Sequence, residues 1–232
     1  MPEGKEVQQM FAAIAGKYDV LNHVLSGGVD FYWWARMART SGAAPGKRLL
    51  DVAAGTGDSS VALARRGAEV VSTDFTHAML RLGPAKFARK GLSGRIWASS
   101  DADAQHLPFR SASFDGITIC YGIRNVEQRP LAYGEFLRVL KPGGQLTILE
   151  FSQPVWPGLR AIYDWYSRRV LPRIGAWISG DASAYSYLPE SIRAFPDQAA
   201  LAKELETAGF HRVTWINLTG GIVALHTGLK PQ

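Results

Sequence analysis

Between residues 47 and 151 the chain repeats one pattern: a short apolar run that stops at a glycine or a carboxylate, then a helical stretch. "RLLDVAA" is followed by "SSVALARR", and "AEVVSTD" by "THAMLRLGPAKFARK", a helix disturbed at Gly83–Pro84. "GRIWASSD" and "FDGITICYG" are two further strands. Residues 127–140 read as a helix, with Ala132, Phe136, Leu137 and Leu140 on one stripe. Pro142–Gly143–Gly144 stop it, and "QLTILEF" is the fifth strand. Continuously apolar strands are covered on both faces, and helical crossovers between them put neighbours parallel. The pattern predicts an α/β chain built on a Rossmann-like, doubly wound, mostly parallel sheet.

The flanks add to this frame. Residues 1–45 read as helical, and the aromatic-rich "DFYWWARMARTSGAAPG" ends them in a Gly/Pro stop. Residues 152–195 break the rhythm with many aromatics and read as a helical insertion after strand five. "QAALAKELETAGF" is a helix with Leu201, Leu205 and Ala208 aligned. "HRVTWINL" and "GGIVALHTGLK" close the sheet as an antiparallel pair turned at Thr219–Gly220–Gly221. At 232 residues, one domain spanning 1–232 accommodates all of this. One cysteine excludes an intrachain disulfide, and five scattered histidines offer no metal-ligand spacing, so no metal is expected. The N-terminus lacks a secretory pattern and no apolar run is long enough to span a bilayer. A cytoplasmic protein is expected, soluble or peripheral to a membrane. The net charge of +6 fits either nucleic acid or anionic lipid. No basic block marks a nucleic-acid tail.

In an open parallel sheet the ligand lies beyond the carboxyl ends of the strands. Strand one ends there in "DVAAGTGD", whose Gly55 and Gly57 permit a tight turn and a close backbone approach. Asp74, 19 residues after Gly55, ends strand two, where a carboxylate takes both ribose hydroxyls or, more blandly, caps a helix. A dinucleotide fits poorly. The third glycine of that fingerprint is Ser60, and Asp58 stands where a pyrophosphate would dock. Asp51, Asp101, Asp103 and Glu150 gather near the same edge. Ribose, no phosphate and a cationic end describe S-adenosylmethionine. Asp51 or Asp58 would meet its ammonium, and Asp103, Ala104 and Gln105 its adenine. Asp115, ahead of strand four, reads as structural.

"KYDVLNHVLSGG", "DVAAGTGD", "YGIRNV", "RVLKPGGQLTILEFSQP", "AYSYLPESI" and "LTGGIVALHTG" together resemble the ubiquinone/menaquinone C-methyltransferase family across essentially the whole chain. The resemblance implies a class I S-adenosylmethionine-dependent methyltransferase and methyl transfer to a ring carbon of a polyprenylated quinol. By motif, Asp51, Gly55, Thr56, Gly57, Asp74, Asp103, Ala104 and Cys120 are the cofactor-side residues. Cys120 stands where some relatives have serine, and a thiol is a poor donor. Asp30 stands where many relatives have histidine. Asp19 and Asn22 match the family motif on the substrate side.

Such a reaction needs a group that stabilises an oxyanion and one that accepts a proton. Arg124 and Asn125 end strand four at the ligand edge and suit the first task. Arg124 is also placed to be a buried clamp on Glu150 or Asp19. Its own pKa is too high for a base, which leaves water relayed to Asp19, Asp30, a tyrosine or His23. Arg124, Asn125, Asp19 and Tyr185 are the catalytic candidates. The insertion reads either as core packing or as a lid whose Tyr163, Tyr166, Tyr185 and Tyr187 meet the quinol ring, with the Phe31–Trp34 cluster opposite. Its aromatics and arginines suit a membrane interface. Expected partners are a polyprenyl quinol and a membrane surface, with no nucleic acid and the oligomeric state open. Other small phenols, or a non-catalytic nucleotide- or nucleic-acid-binding role on the same fold, are the alternatives.

Overall fold

The computed structural model describes residues 4–170 and 183–232. Seven strands form one sheet: β1 (Arg48–Val52), β2 (Glu69–Asp74), β3 (Ile96–Asp101), β4 (Phe114–Cys120), β5 (Leu140–Phe151), β6 (His211–Leu218) and β7 (Val223–Leu229). Their order is β3-β2-β1-β4-β5-β7-β6. β1 to β5 pair in parallel, and β7 runs antiparallel to both β5 and β6. The order reverses between β1 and β4, so the loops after those two strands flank the crevice where such sheets hold ligands.

Alternation along each strand sends successive side chains to opposite faces. Leu50, Ile117, Ile119 and Ile148 enter one core with Phe136 of α7 (Arg129–Val139) and Leu201 and Leu205 of α10 (Gln198–Ala208). Leu49, Val70 and Leu149 enter the other with Trp33 and Met37 of α3 (Asp30–Thr40) and Leu63 of α4 (Asp58–Ala64). Each such fully buried side chain is worth about 1.5–3 kcal/mol.

Three boundaries differ from expectation. The helix over 127–140 ends at Val139, and Leu140 already pairs with Phe114 in β5. Pro142–Gly143–Gly144 does not stop a helix but lies inside β5, where the register jumps before Gln145 meets Gly116. The C-terminal residues supply partners there: Gly143 N donates to Lys230 O and Lys230 N to Gly144 O. The stretch 76–90 is two helices, α5 (His77–Leu80) and α6 (Gly83–Arg89). Ahead of the sheet lie α1 (Gly4–Ile14) and α2 (Tyr18–Ser26). After β5 come α8 (Pro157–Trp165) and, beyond the undescribed residues, α9 (Ser183–Ala194). No described helix is long and apolar enough to cross a membrane.

Candidate active site

Two cavities meet at the carboxyl edge of the sheet. The first, about 450 Å³, is bounded by the loops after β1, β2, β3 and β4 and includes Gly55, Asp74, Asp103, Ala104, Cys120 and Asn125. The second, about 330 Å³, is walled mainly by apolar side chains of α1, α3, α8 and α9, among them Ile14, Trp33, Trp34, Ile162 and Leu188. Phe11, Tyr18 and Tyr121 belong to both walls and so form the partition between them.

The first cavity is shaped by its loops. Gly55 sits at φ +57, and its N–H donates to Asp74 Oδ2 at 2.8 Å. Thr76 N donates to Asp74 Oδ1 at 2.7 Å. Two backbone donors thus fix the carboxylate, and each oxygen keeps a lone pair for a ligand hydroxyl. Burial raises the Asp74 pKa, and the donors from Thr76 and Gly55 offset part of that. Gly122 has no room for a side chain, since a Cβ there would lie 2.4 Å from Ala53 Cβ. Cys120 is buried against this cavity, and burial pushes its thiol well up, so it stays neutral.

Several expected cofactor residues lie behind the cavity rather than on it. Asp51 is fully buried and accepts from Ser59 Oγ (2.6 Å), Ser60 Oγ (2.6 Å) and Thr118 Oγ1 (2.7 Å). Its oxygens are spent on the β1–α4–β4 junction, and it is not available to an ammonium. Gly57 is the left-handed N-cap of α4, packed under Phe87, and also stands off the cavity. Thr56 Oγ1 donates to Asp19 Oδ1 at 2.5 Å and accepts from Lys86 Nζ at 3.0 Å. Lys86, which the sequence reading missed, is 6% exposed and also pairs with Asp19 (2.7 Å) and Asp58 (2.8 Å). This lysine from α6 bridges Asp19 of α2 and Asp58 beside the glycine loop, one cation between two carboxylates. Asp19 is therefore a structural partner of that loop and belongs to neither cavity wall.

Arg124 is a clamp. Its Nη1 donates to Glu150 Oε1 at 2.7 Å and to Tyr121 O at 2.6 Å, with both charged side chains 5% exposed or less. Burial alone would lower the guanidinium's pKa, but Glu150 outweighs it and keeps Arg124 charged. The same arginine lines the second cavity, where its Nε has no partner. Tyr121 Oη and Trp34 Nε1, in the same wall, are likewise buried without partners. An unsatisfied buried donor costs about 1–3 kcal/mol, and these three belong to residues of one wall. Asn125 lines the first cavity and accepts from Tyr187 of the second, Tyr187 Oη to Asn125 Oδ1, at 2.9 Å. Tyr163 and Tyr166 line the second cavity, and burial pushes Tyr163 up to about 12. The side chain of Tyr185 lies outside the described residues. Asp115 is structural as expected, held by Lys141 and Arg48 N. No metal-holding cluster occurs among the described residues.

Residues 2–230 match the family model described as the ubiE/COQ5 methyltransferase family. The chain is 45% identical to a ubiquinone/menaquinone biosynthesis C-methyltransferase of Ectopseudomonas mendocina, over 99% of this chain and 90% of the relative. It is 44% identical to the protein of the same name from Saccharophagus degradans, over 99% of this chain and 93% of the relative. Among solved structures it is similar to the [4+2]-cyclase SpnF, with a TM-score of 0.74, 19% identity and coverage of 99% and 97%. A SAM-dependent methyltransferase from Aquifex aeolicus aligns with a TM-score of 0.61, 18% identity and coverage of 83% and 86%. At those identities the two structures speak to the fold alone.

Proposed function

The chain belongs to the ubiE/COQ5 methyltransferase family, and we propose that it methylates a ring carbon of a polyprenylated quinol in respiratory quinone biosynthesis, using S-adenosylmethionine. The acceptor would be a demethylmenaquinol, a 2-methoxy-6-polyprenyl-1,4-benzoquinol, or both. The observation that carries this reading is the pair of cavities sharing one wall: one of mixed polarity that carries Asp74 and Asp103, and a mainly apolar one. S-adenosylmethionine, when bound, supplies an electrophilic methyl group. The residues of the first cavity fit it: Asp74 offers acceptors for ribose hydroxyls, and Ala104 and Cys120 give an apolar flank for a base. Asp103 is held by Gln105 N at 2.8 Å and stands at the adenine side.

In the second cavity the residues would orient the acceptor. Arg124, Tyr121 and Trp34 would donate to its oxygens, and Tyr163 and Tyr187 would flank its ring. Tyr187 bound to Asn125 joins the walls of the two cavities. Holding two reactants in line is worth about 7–11 kcal/mol in favourable cases. Of the expected lid 152–195, α8 and α9 would act as the cover over the greasy substrate, and residues 171–182 lie outside the described residues. The test is labelled methyl transfer from S-adenosylmethionine to demethylmenaquinol and to the benzoquinol, with simple phenols and bulk RNA as controls. Incorporation into either quinol is expected. Incorporation into neither would overturn the reading, and transfer to phenols alone would move it to a different acceptor.

The isoprenoid tail suggests peripheral membrane contact. α8, whose Ile162 and Trp165 reach the apolar cavity, leaves those residues 65% and 62% exposed, beside Trp156 at 65%. Arg160 and Arg169 are exposed nearby. Tryptophan and arginine together suit a headgroup region of anionic lipid. The protein is expected to co-sediment with anionic vesicles at low salt, and Ile162→Ser with Trp165→Ser to weaken this markedly. Wild-type protein left in the supernatant at low salt would remove the proposal.

A further inference from the structure

The second cavity contains one carboxylate among its described lining residues, Asp30, and the chain builds a support for it. α2 ends at Ser26, and Gly27 and Gly28, both at positive φ, reverse the chain so that α3 begins at Asp30. That reversal returns the carboxylate to the last turn of α2. Ser26 Oγ donates to Asp30 Oδ1 at 2.9 Å, and His23 Nδ1 is hydrogen-bonded to Oδ2. Asp30 is 3% exposed, while the His23 side chain, stacked on Phe31 at 4.5 Å, is 31% exposed. A carboxylate kept only to join two helices would have protein on every side. Here it is part of the wall of a mainly apolar chamber, and beyond the bonds from Ser26 and His23 each oxygen can accept one more.

The other bases in reach are spent or unsuitable. Asp19 is committed to Lys86 and Thr56. Glu150 is committed to Arg124. Burial raises the phenols of Tyr18, Tyr121, Tyr163 and Tyr187, which keeps them protonated. Resting on the quinol reading above, we propose that Asp30 is the base that takes the acceptor's hydroxyl proton, with His23 and Ser26 as positioning residues. The acceptor O–H bond breaks toward Asp30 and its electron pair remains on the ring as an oxyanion. The ortho carbon then forms its bond to the methyl group, and the electron pair of the broken carbon–sulfur bond stays on sulfur. The ring C–H proton moves to the oxygen as aromaticity returns. Asp30 gives its proton to water when the product leaves, so one proton is released per methyl transferred.

Asp30→Asn is expected to lower kcat by about 10²- to 10⁴-fold. Calorimetric affinity for S-adenosylmethionine should be unchanged, since Asp30 lies outside the first cavity. His23→Ala should lower kcat with little change in the KM of the quinol, and His23→Asn should recover most of it, because an Asn amide donates from near the Nδ1 position. A readout independent of turnover and of variant folding uses 4-nitrophenol bound to the wild type. At a pH where free 4-nitrophenol is mostly neutral, it should give its proton to Asp30 and show the visible absorbance of the phenolate, since it is a stronger acid than the quinol. Wild-type transfer to neither quinol would sink the parent reading. Wild-type transfer together with an Asp30→Asn enzyme of near-normal kcat, or with 4-nitrophenol bound as the neutral phenol, would overturn the role of Asp30.

Discussion

Replacing Arg124 by alanine is expected to cost about 3–5 kcal/mol of unfolding free energy, because it leaves Glu150 as a buried carboxylate without its cation. Glu150 is 1% exposed, and its remaining donors are Phe151 N at 2.9 Å and Arg124 N at 3.4 Å. Urea unfolding would register the loss. Turnover will fall as well, but a fall in this variant alone cannot separate a clamp from a contact with substrate. Arg124→Met with Glu150→Gln removes both charges together. Buried ion pairs replaced as a pair are often nearly neutral in stability, so the double variant should recover most of what the single one loses. If Arg124 also stabilises the acceptor oxyanion, methyl transfer in the double variant will stay depressed by about 10²-fold or more, with affinity for S-adenosylmethionine intact. Recovered turnover would leave Arg124 as a brace alone.

The two roles of Arg124 show what a sequence can and cannot display. Its place at the end of a buried strand, at the ligand edge, follows from apolar patterning, and so does the neighbourhood of Gly55, Asp74, Asp103 and Cys120. These are local signals tied to strand ends. Lys86 carried no such signal. Its stripe on α6 reads as an ordinary helix face, and its partners Asp19 and Asp58 lie 67 and 28 residues away. Once it is in place, Asp58 is already paired beside the glycine loop and no longer argues for an ammonium partner there. Asp51 misled for a related reason: pattern puts it on the strand, but only packing shows three hydroxyls closing over it. The pairing of His23 with Asp30 depends on the Gly27–Gly28 reversal, a tertiary event with no period to read. Pro142–Gly143–Gly144 looked like a terminus because the C-terminal residues that satisfy its backbone are far along the chain.

Asp74→Ala is expected to weaken S-adenosylmethionine binding by about 2–4 kcal/mol, or roughly 30- to 1,000-fold, since hydrogen bonds to a charged group are worth about 1.5–3 kcal/mol each. The loss has two sources. The ribose loses its acceptors, and the loop after β1 loses the anchor that Asp74 Oδ2 gives Gly55 N. Asp74→Asn is not a mild substitute. Both oxygens already accept from backbone N–H groups, so an amide nitrogen must face either Gly55 N or Thr76 N, donor against donor. It should behave more like alanine than like aspartate. Protonation does the same to the wild type. Burial holds the Asp74 pKa above the usual carboxylate value, so the ionised form is lost earlier as pH falls. Wild-type affinity should therefore decline from neutral toward mildly acid pH, while Asp74→Asn starts weak and stays flat over that range. Calorimetry of both proteins across the range tests the assignment. An Asp74→Asn protein that binds S-adenosylmethionine within about threefold of the wild type would show that binding depends neither on the carboxylate's hold on the ribose nor on its anchor to the loop.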